Sequence, residues 1–93
     1  MRVGTIVITL HLYQPSSLKE KRHILQSLIS KIRHKFNVSI AEIDHLDDWK
    51  TTKLGVAMVS NDGRVNNAIL SKVVEAIRHT PEISVEEYHI EIL

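Results

Sequence analysis

The chain has 93 residues, 43% hydrophobic and 25% charged, with a formal net charge of +1. That suffices for a single domain (1–93) with a modest core, and the absence of cysteine excludes disulfides, a thiolate nucleophile and thiolate metal sites. The longest apolar run near the start, Ile6–Leu10, is broken by Thr9 and is too short for a signal-peptide core or a membrane span, so a cytoplasmic protein with no membrane partner is expected.

Val3–Tyr13 alternates. Ile6, Ile8, Leu10 and Leu12 point one way, and Thr5, Val7, Thr9 and His11 the other. Period two with β-branched residues predicts a half-buried strand. After Pro15, Ser17 and Glu20 form an S-x-x-E capping box: the Ser hydroxyl accepts from the amide three residues on, and the Glu reaches back to the Ser amide. Leu18, Leu25, Leu28, Ile29, Ile32 and Phe36 then recur at three- and four-residue spacing, the stripe of an amphipathic helix over Ser17–Phe36. Asn37–Ile43 reads as a second strand, Asp44–Thr52 as a polar, acidic hairpin connection around Trp49, and Leu54–Ser60 as a third strand. Asn61-Asp62-Gly63 supplies an N-cap for a second helix whose stripe is Val65, Ala68, Ile69, Val73, Ala76 and Ile77. Pro81 stops it. Glu86–Leu93 alternates again, with Tyr88, Ile90 and Ile92 opposed to Glu87, His89 and Glu91.

The order is βαββαβ. Two right-handed β-α-β units interleave into a four-stranded antiparallel sheet with both helices on one face, an α+β ferredoxin-like sandwich. The first and third strands become central, and Ile6, Ile8, Leu10, Leu54, Val56 and Met58 pack under the helices. The helix-free face shows Val3, Thr5, Val7, Thr9 and His11 beside Lys53, Gly55, Ala57 and Val59. No aromatic stands there for base stacking. Small β-branched surfaces suit sheet-to-sheet contact, so a homodimer through this face is expected.

Charge is unevenly spread. Six Lys/Arg and one acid lie between Leu18 and Lys35, a local charge of +5. Lys19, Arg22, Gln26 and Arg33 fall along an outward line, with Lys21, Lys31 and Lys35 in support. Such a stripe can track the phosphates of nucleic acid, and structured RNA is the expected partner. An ordinary solvated helix face mixes in acids as i,i+4 partners; here only Glu20 does so, and the cap claims it. The second polar cluster, Glu42, Asp44, His45, Asp47, Asp48 and Trp49 with His11 nearby, has metal-ligating residue types, but short loop clusters of this kind more commonly pair with local cations. Lys50, Lys53 or the basic helix would serve, with Trp49 packing on the domain as an anchor. No metal or cofactor is assigned. Tyr13–Ser17 lacks the glycines of a phosphate-cradling loop, no dinucleotide fingerprint appears, and no catalytic residue or enzymatic activity is assigned.

Ser17-Leu18-Lys19-Glu20-Lys21-Arg22, then Phe36-Asn37-Val38-Ser39-Ile40-Ala41-Glu42, His45 and Trp49, then Leu54-Gly55-Val56-Ala57, Val59-Ser60-Asn61-Asp62 and Tyr88–Leu93, together resemble the YlxP-like family of small bacterial proteins of unknown function. The resemblance runs through nearly the whole chain in order. It implies a ferredoxin-like fold and a bacterial cytoplasmic protein whose gene commonly lies beside those for translation initiation and ribosome maturation. It brings no activity, substrate or catalytic residue. The chain departs from the usual hairpin pattern at Asp48, where an apolar residue is expected, and at Thr51, where a basic one is common. The sequence thus predicts a non-enzymatic RNA- or ribosome-associated protein. The alternative is a homo-oligomeric interaction module whose basic helix meets an acidic protein surface, with Glu86, Glu87 and Glu91 of a neighbouring copy as candidates.

Overall fold

The computed structural model describes residues 1–93 in the order β1 (Arg2–Leu12), α1 (Leu18–Lys35), β2 (Ser39–Asp44), β3 (Thr51–Ser60), α2 (Gly63–Arg78) and β4 (Ile83–Ile92). The strands form one antiparallel sheet in the order β2-β3-β1-β4. This is the ferredoxin-like sandwich, with β1 and β3 central. The inner residues of β1 (Ile6, Ile8, Leu10, Leu12) are fully buried, as are Leu54 of β3, Ile32 of α1 and Leu70, Val73 and Ile77 of α2. One continuous core joins them, so the predicted inner faces of β1 and β3 hold.

The phase of α2 differs from the sequence stripe. Val65 and Ala68 are exposed, while Asn66, Leu70 and Val74 are buried. The cause lies on β1. A Cβ on Gly4 would stand 2.8 Å from Leu70 Cδ1 and 3.0 Å from Asn66 Cβ, so the bare glycine lets α2 settle directly on the strand. Asn66 Nδ2 then donates to the Arg2 carbonyl at 3.2 Å, and its Oδ1 is buried without a partner. Asp62 caps α2 by accepting from the Arg64 amide at 2.9 Å.

Strand limits also shift. β4 starts at Ile83, three residues before the alternation predicts, because the β1–β4 register slips between Thr9 and Leu10. Thr9 faces Glu87 and Leu10 faces Val85, which leaves Glu86 as the extra residue of a bulge. Beyond it Tyr88, Ile90 and Ile92 oppose Ile8, Ile6 and Gly4 on the helix side, and Glu87, His89 and Glu91 oppose Thr9, Val7 and Thr5 on the other. β3 begins at Thr51 and β2 runs to Asp44, so the connection between them shortens to residues 45–50. On the helix-free face Ser39 and Ala41 extend the row of Ala57 and Gly55. Ile43 lies across Gly55, its Cγ2 3.0 Å from where a Gly55 Cβ would be.

Candidate nucleic-acid interface on the basic helix

The start of α1 is tightly defined. Ser17 is the N-cap and its hydroxyl accepts from the Glu20 amide at 3.1 Å. Glu20 reaches one residue further back than the capping box predicts. Its Oε2 accepts from the Ser16 amide at 2.6 Å and the Ser16 hydroxyl at 2.9 Å. Those two donors, the backbone amide foremost, hold the Glu20 carboxyl below its ordinary value of 4.5. The one acid of the helix is therefore committed to its cap. At the other end the Phe36 amide donates to the Ile32 carbonyl at 2.8 Å, and Arg33, His34 and Lys35 occupy the last turn, where cations suit the negative end of the helix dipole.

Lys21 does not join the outward cations, contrary to the expectation from its charge. It is 1% exposed. Its Nζ lies 3.0 Å from Glu42 Oε2 and donates to the His45 carbonyl. Thr52, also fully buried, donates its hydroxyl to the same Glu42 oxygen at 2.7 Å. The reason is helical phase: Lys21 stands four, seven and eleven residues before Leu25, Leu28 and Ile32, all of them buried. Glu42 follows Ile40 by two on β2 and so shares its inner face. Those two phases are the signal that would have found the pair from sequence. The pair ties the first turns of α1 to the β2–β3 hairpin. His45 carries a left-handed φ of 61°, and Asp44 Oδ1 accepts from its amide at 2.7 Å.

The remaining predicted residues diverge. Gln26 and Arg33 line a recess against β2 with Ile40 and Ala41. Arg33 Nη2 donates to the Ile40 carbonyl on that edge strand at 3.0 Å, and helical periodicity puts Arg22 on the same flank. Lys31 and Lys35 lie on the opposite flank, facing α2. Lys19 sits at the N-terminal end, where it lines a third recess with His23, Gln14 and Glu82. Lys19, Arg22, Lys31, Arg33 and Lys35 form no ion pair with any carboxylate.

The acidic hairpin is held by local bonds. Asp48 Oδ1 accepts from the Lys50 amide at 2.9 Å and the Thr51 amide at 3.3 Å. The Lys50 amide is the main cause of an Asp48 carboxyl below its ordinary 3.8. That Asx turn gives Asp48 a local structural role in closing the hairpin. Trp49 is 48% exposed, so the expected anchor stands half in solvent, and the hairpin is tied to α1 through Lys21, which meets the His45 carbonyl and Glu42. No group of three or more His, Asp or Glu side chains converges as metal ligands would.

A family model described as "Protein of unknown function (DUF503)" matches residues 3–90. The "Uncharacterized protein YlxP" of Bacillus subtilis (strain 168) is 40% identical over 72 residues, covering 77% of this chain and 78% of the relative. Among solved structures, the de novo designed protein LFR1, which has a ferredoxin fold, superposes with a TM-score of 0.52 at 13% identity over 100% of this chain and 83% of its own. A REP-associated tyrosine transposase bound to a REP hairpin gives 0.53 at 13% identity, over 97% of this chain and 56% of the transposase. At such identities both likenesses concern the fold alone. No helix is long and apolar enough to cross a membrane.

Proposed function

The chain belongs to the DUF503 family of proteins of unknown function, and we propose that it is a non-enzymatic, cytoplasmic, RNA- or ribosome-associated protein that engages RNA phosphates through α1. One observation carries this reading. With Lys21 turned inward, five cations remain on one helix without a carboxylate partner, and its only acid is bound by Ser16. A helix merely facing solvent would gain from i,i+4 acids; this one leaves its cations free for an external anion. The gene neighbourhood implied by the resemblance to YlxP-like proteins points the same way.

Co-sedimentation with ribosomes at two salt concentrations tests it. The protein should pellet with ribosomes at low salt and release as salt rises, because each neutralised phosphate returns counterions to solution. Charge reversal at Lys19, Arg22 and Lys31 should abolish pelleting while circular dichroism stays unchanged. No pelleting by the parent protein, or pelleting unaffected by the reversals, refutes the reading.

A second reading is a homodimer through the helix-free sheet face. It is favoured by Val7, Ile43 and Val59, large aliphatic side chains that stand 40%, 50% and 60% exposed around the small Gly55 and Ala57. Sedimentation equilibrium at micromolar concentration should give a dimer that Val7→Lys with Val59→Lys converts to monomer. A parent protein that is monomeric throughout eliminates it.

A further inference from the structure

Lys31 and Lys35 leave the outward line of α1 for a specific place. The two helices run antiparallel and overlap through their C-terminal halves, where a recess of about 360 Å³ is lined by Lys31 and Lys35 of α1 with its C-cap Phe36, and by Lys72 and Glu75 of α2 with its C-cap His79. Lys31 and Lys35 are one turn apart, and Lys72 enters from the facing helix. None of the three forms an ion pair. The one carboxylate on the recess, Glu75, is turned to Arg78, whose Nε lies 3.6 Å away. It is also 3.9 Å from His79 Nδ1, whose ring nitrogen contacts the Glu75 carbonyl at 2.7 Å. Lys35 Nζ sits 5.7 Å from the Phe36 ring centre, which keeps the ammonium at the wall of the recess.

Three like charges that line one recess from two elements repel one another, and an anion bound among them would relieve that repulsion. On the opposite flank Arg33 spends part of its donor capacity on the Ile40 carbonyl. The inter-helix flank keeps all three of its ammonium groups free of carboxylate partners. We propose that the groove between α1 and α2 is the phosphate-binding site, that its ligand is the phosphodiester backbone of a folded RNA, and that Lys72 of α2 is a binding residue together with Lys31 and Lys35. This rests on the RNA reading above and moves the contact from the outward face of one helix to the crevice between two. Lysine suits such a contact, because its ammonium is a compact point charge with three donors that tracks phosphates without reading bases.

Fluorescence anisotropy with a labelled RNA stem-loop, on the full chain across a salt series, separates the possibilities. Lys31→Glu with Lys35→Glu and Lys72→Glu should weaken binding at least about tenfold and reduce the steepness of log affinity against log salt by about 2 to 3. Lys72→Gln alone, a surface change that spares the core, should reduce that slope by about 1. The control is Lys19→Glu with Arg22→Glu, which should have the smaller effect. If that control abolishes binding and Lys72→Gln leaves the slope unchanged, the groove is wrong and the outward face of α1 is the site. An equal loss in both variants likewise overturns the groove as a distinct site. No binding by the parent protein removes groove and RNA reading together. Polyglutamate displacing the RNA as well as unlabelled RNA does overturns the phosphate assignment in favour of an acidic protein partner.

Discussion

Lys21 shows how one side chain settles between two roles. Its charge suits the surface, while its helical phase places it over the sheet. Phase prevails because Glu42 and the His45 carbonyl meet the ammonium, and Thr52 satisfies the carboxylate further. A charge leaves water only when paired and hydrogen-bonded. Breaking such a pair from one side leaves the other charge stranded. Lys21→Met should therefore lower stability by about 2–4 kcal/mol, slightly under the range for a wholly buried pair because the Glu42 side chain keeps 18% exposure. Lys21→Met with Glu42→Gln should recover more than half of that loss, since no isolated charge remains. Urea unfolding followed by circular dichroism measures both. A single-variant loss below about 1 kcal/mol would mean that the pair contributes no more than an exposed salt bridge does.

At the scale of elements, the termini depend on carboxylates. Glu20 binds Ser16 at the head of α1, Asp62 caps α2 and Asp48 closes the hairpin turn. All three carboxyls are held below their ordinary values of 4.5, 3.8 and 3.8, Asp62 chiefly by the Arg64 side chain. Their folded values lie under their unfolded ones, so their contribution is complete above the ordinary carboxylate range and is lost as pH falls through the lower folded values. The melting temperature should hold from about pH 6 down to about pH 4.5 and decline below that. Glu20→Gln should show a shallower decline, and an identical pH profile in parent and variant would exclude Glu20 as a contributor. Most of these elements are legible in the sequence because their period is unbroken: β1 in twos, α1 in threes and fours. The exceptions have physical causes. Asn66 looks like a surface residue until it meets the Arg2 carbonyl, 64 positions away, and the apolar Val65 and Ala68 beside it then suggest the wrong face. Glu86 adds one residue to β4, so Ile83 and Val85 fall out of step with Tyr88 and Ile90. Among the candidate site residues, charge reveals the cations of α1, but only tertiary packing divides them among three recesses and brings Lys72 beside Lys31 and Lys35.

Across the whole molecule the net charge of +1 conceals a division. The helix layer carries the unpaired lysines and arginines of α1 together with Lys72, whereas β4 sets Glu87 and Glu91 on the other side of the sheet. The protein is elongated, 42 × 21 × 17 Å, as strands of 10 and 11 residues rising about 3.3 Å per residue favour. A polyanion approaching such a body is drawn to one broad side and repelled from part of the other, which orients it before contact. The burial of Lys21 adds an experimental handle on this same asymmetry. Of the seven lysines, it alone has its amine sealed from solvent. An amine-reactive acylating reagent would modify the other six in the folded protein and reach Lys21 only when α1 lifts from the hairpin. Its slow acylation thus serves as an internal clock for that opening, against which shielding of Lys31, Lys35 and Lys72 by a bound ligand can be distinguished from a general loosening of the fold.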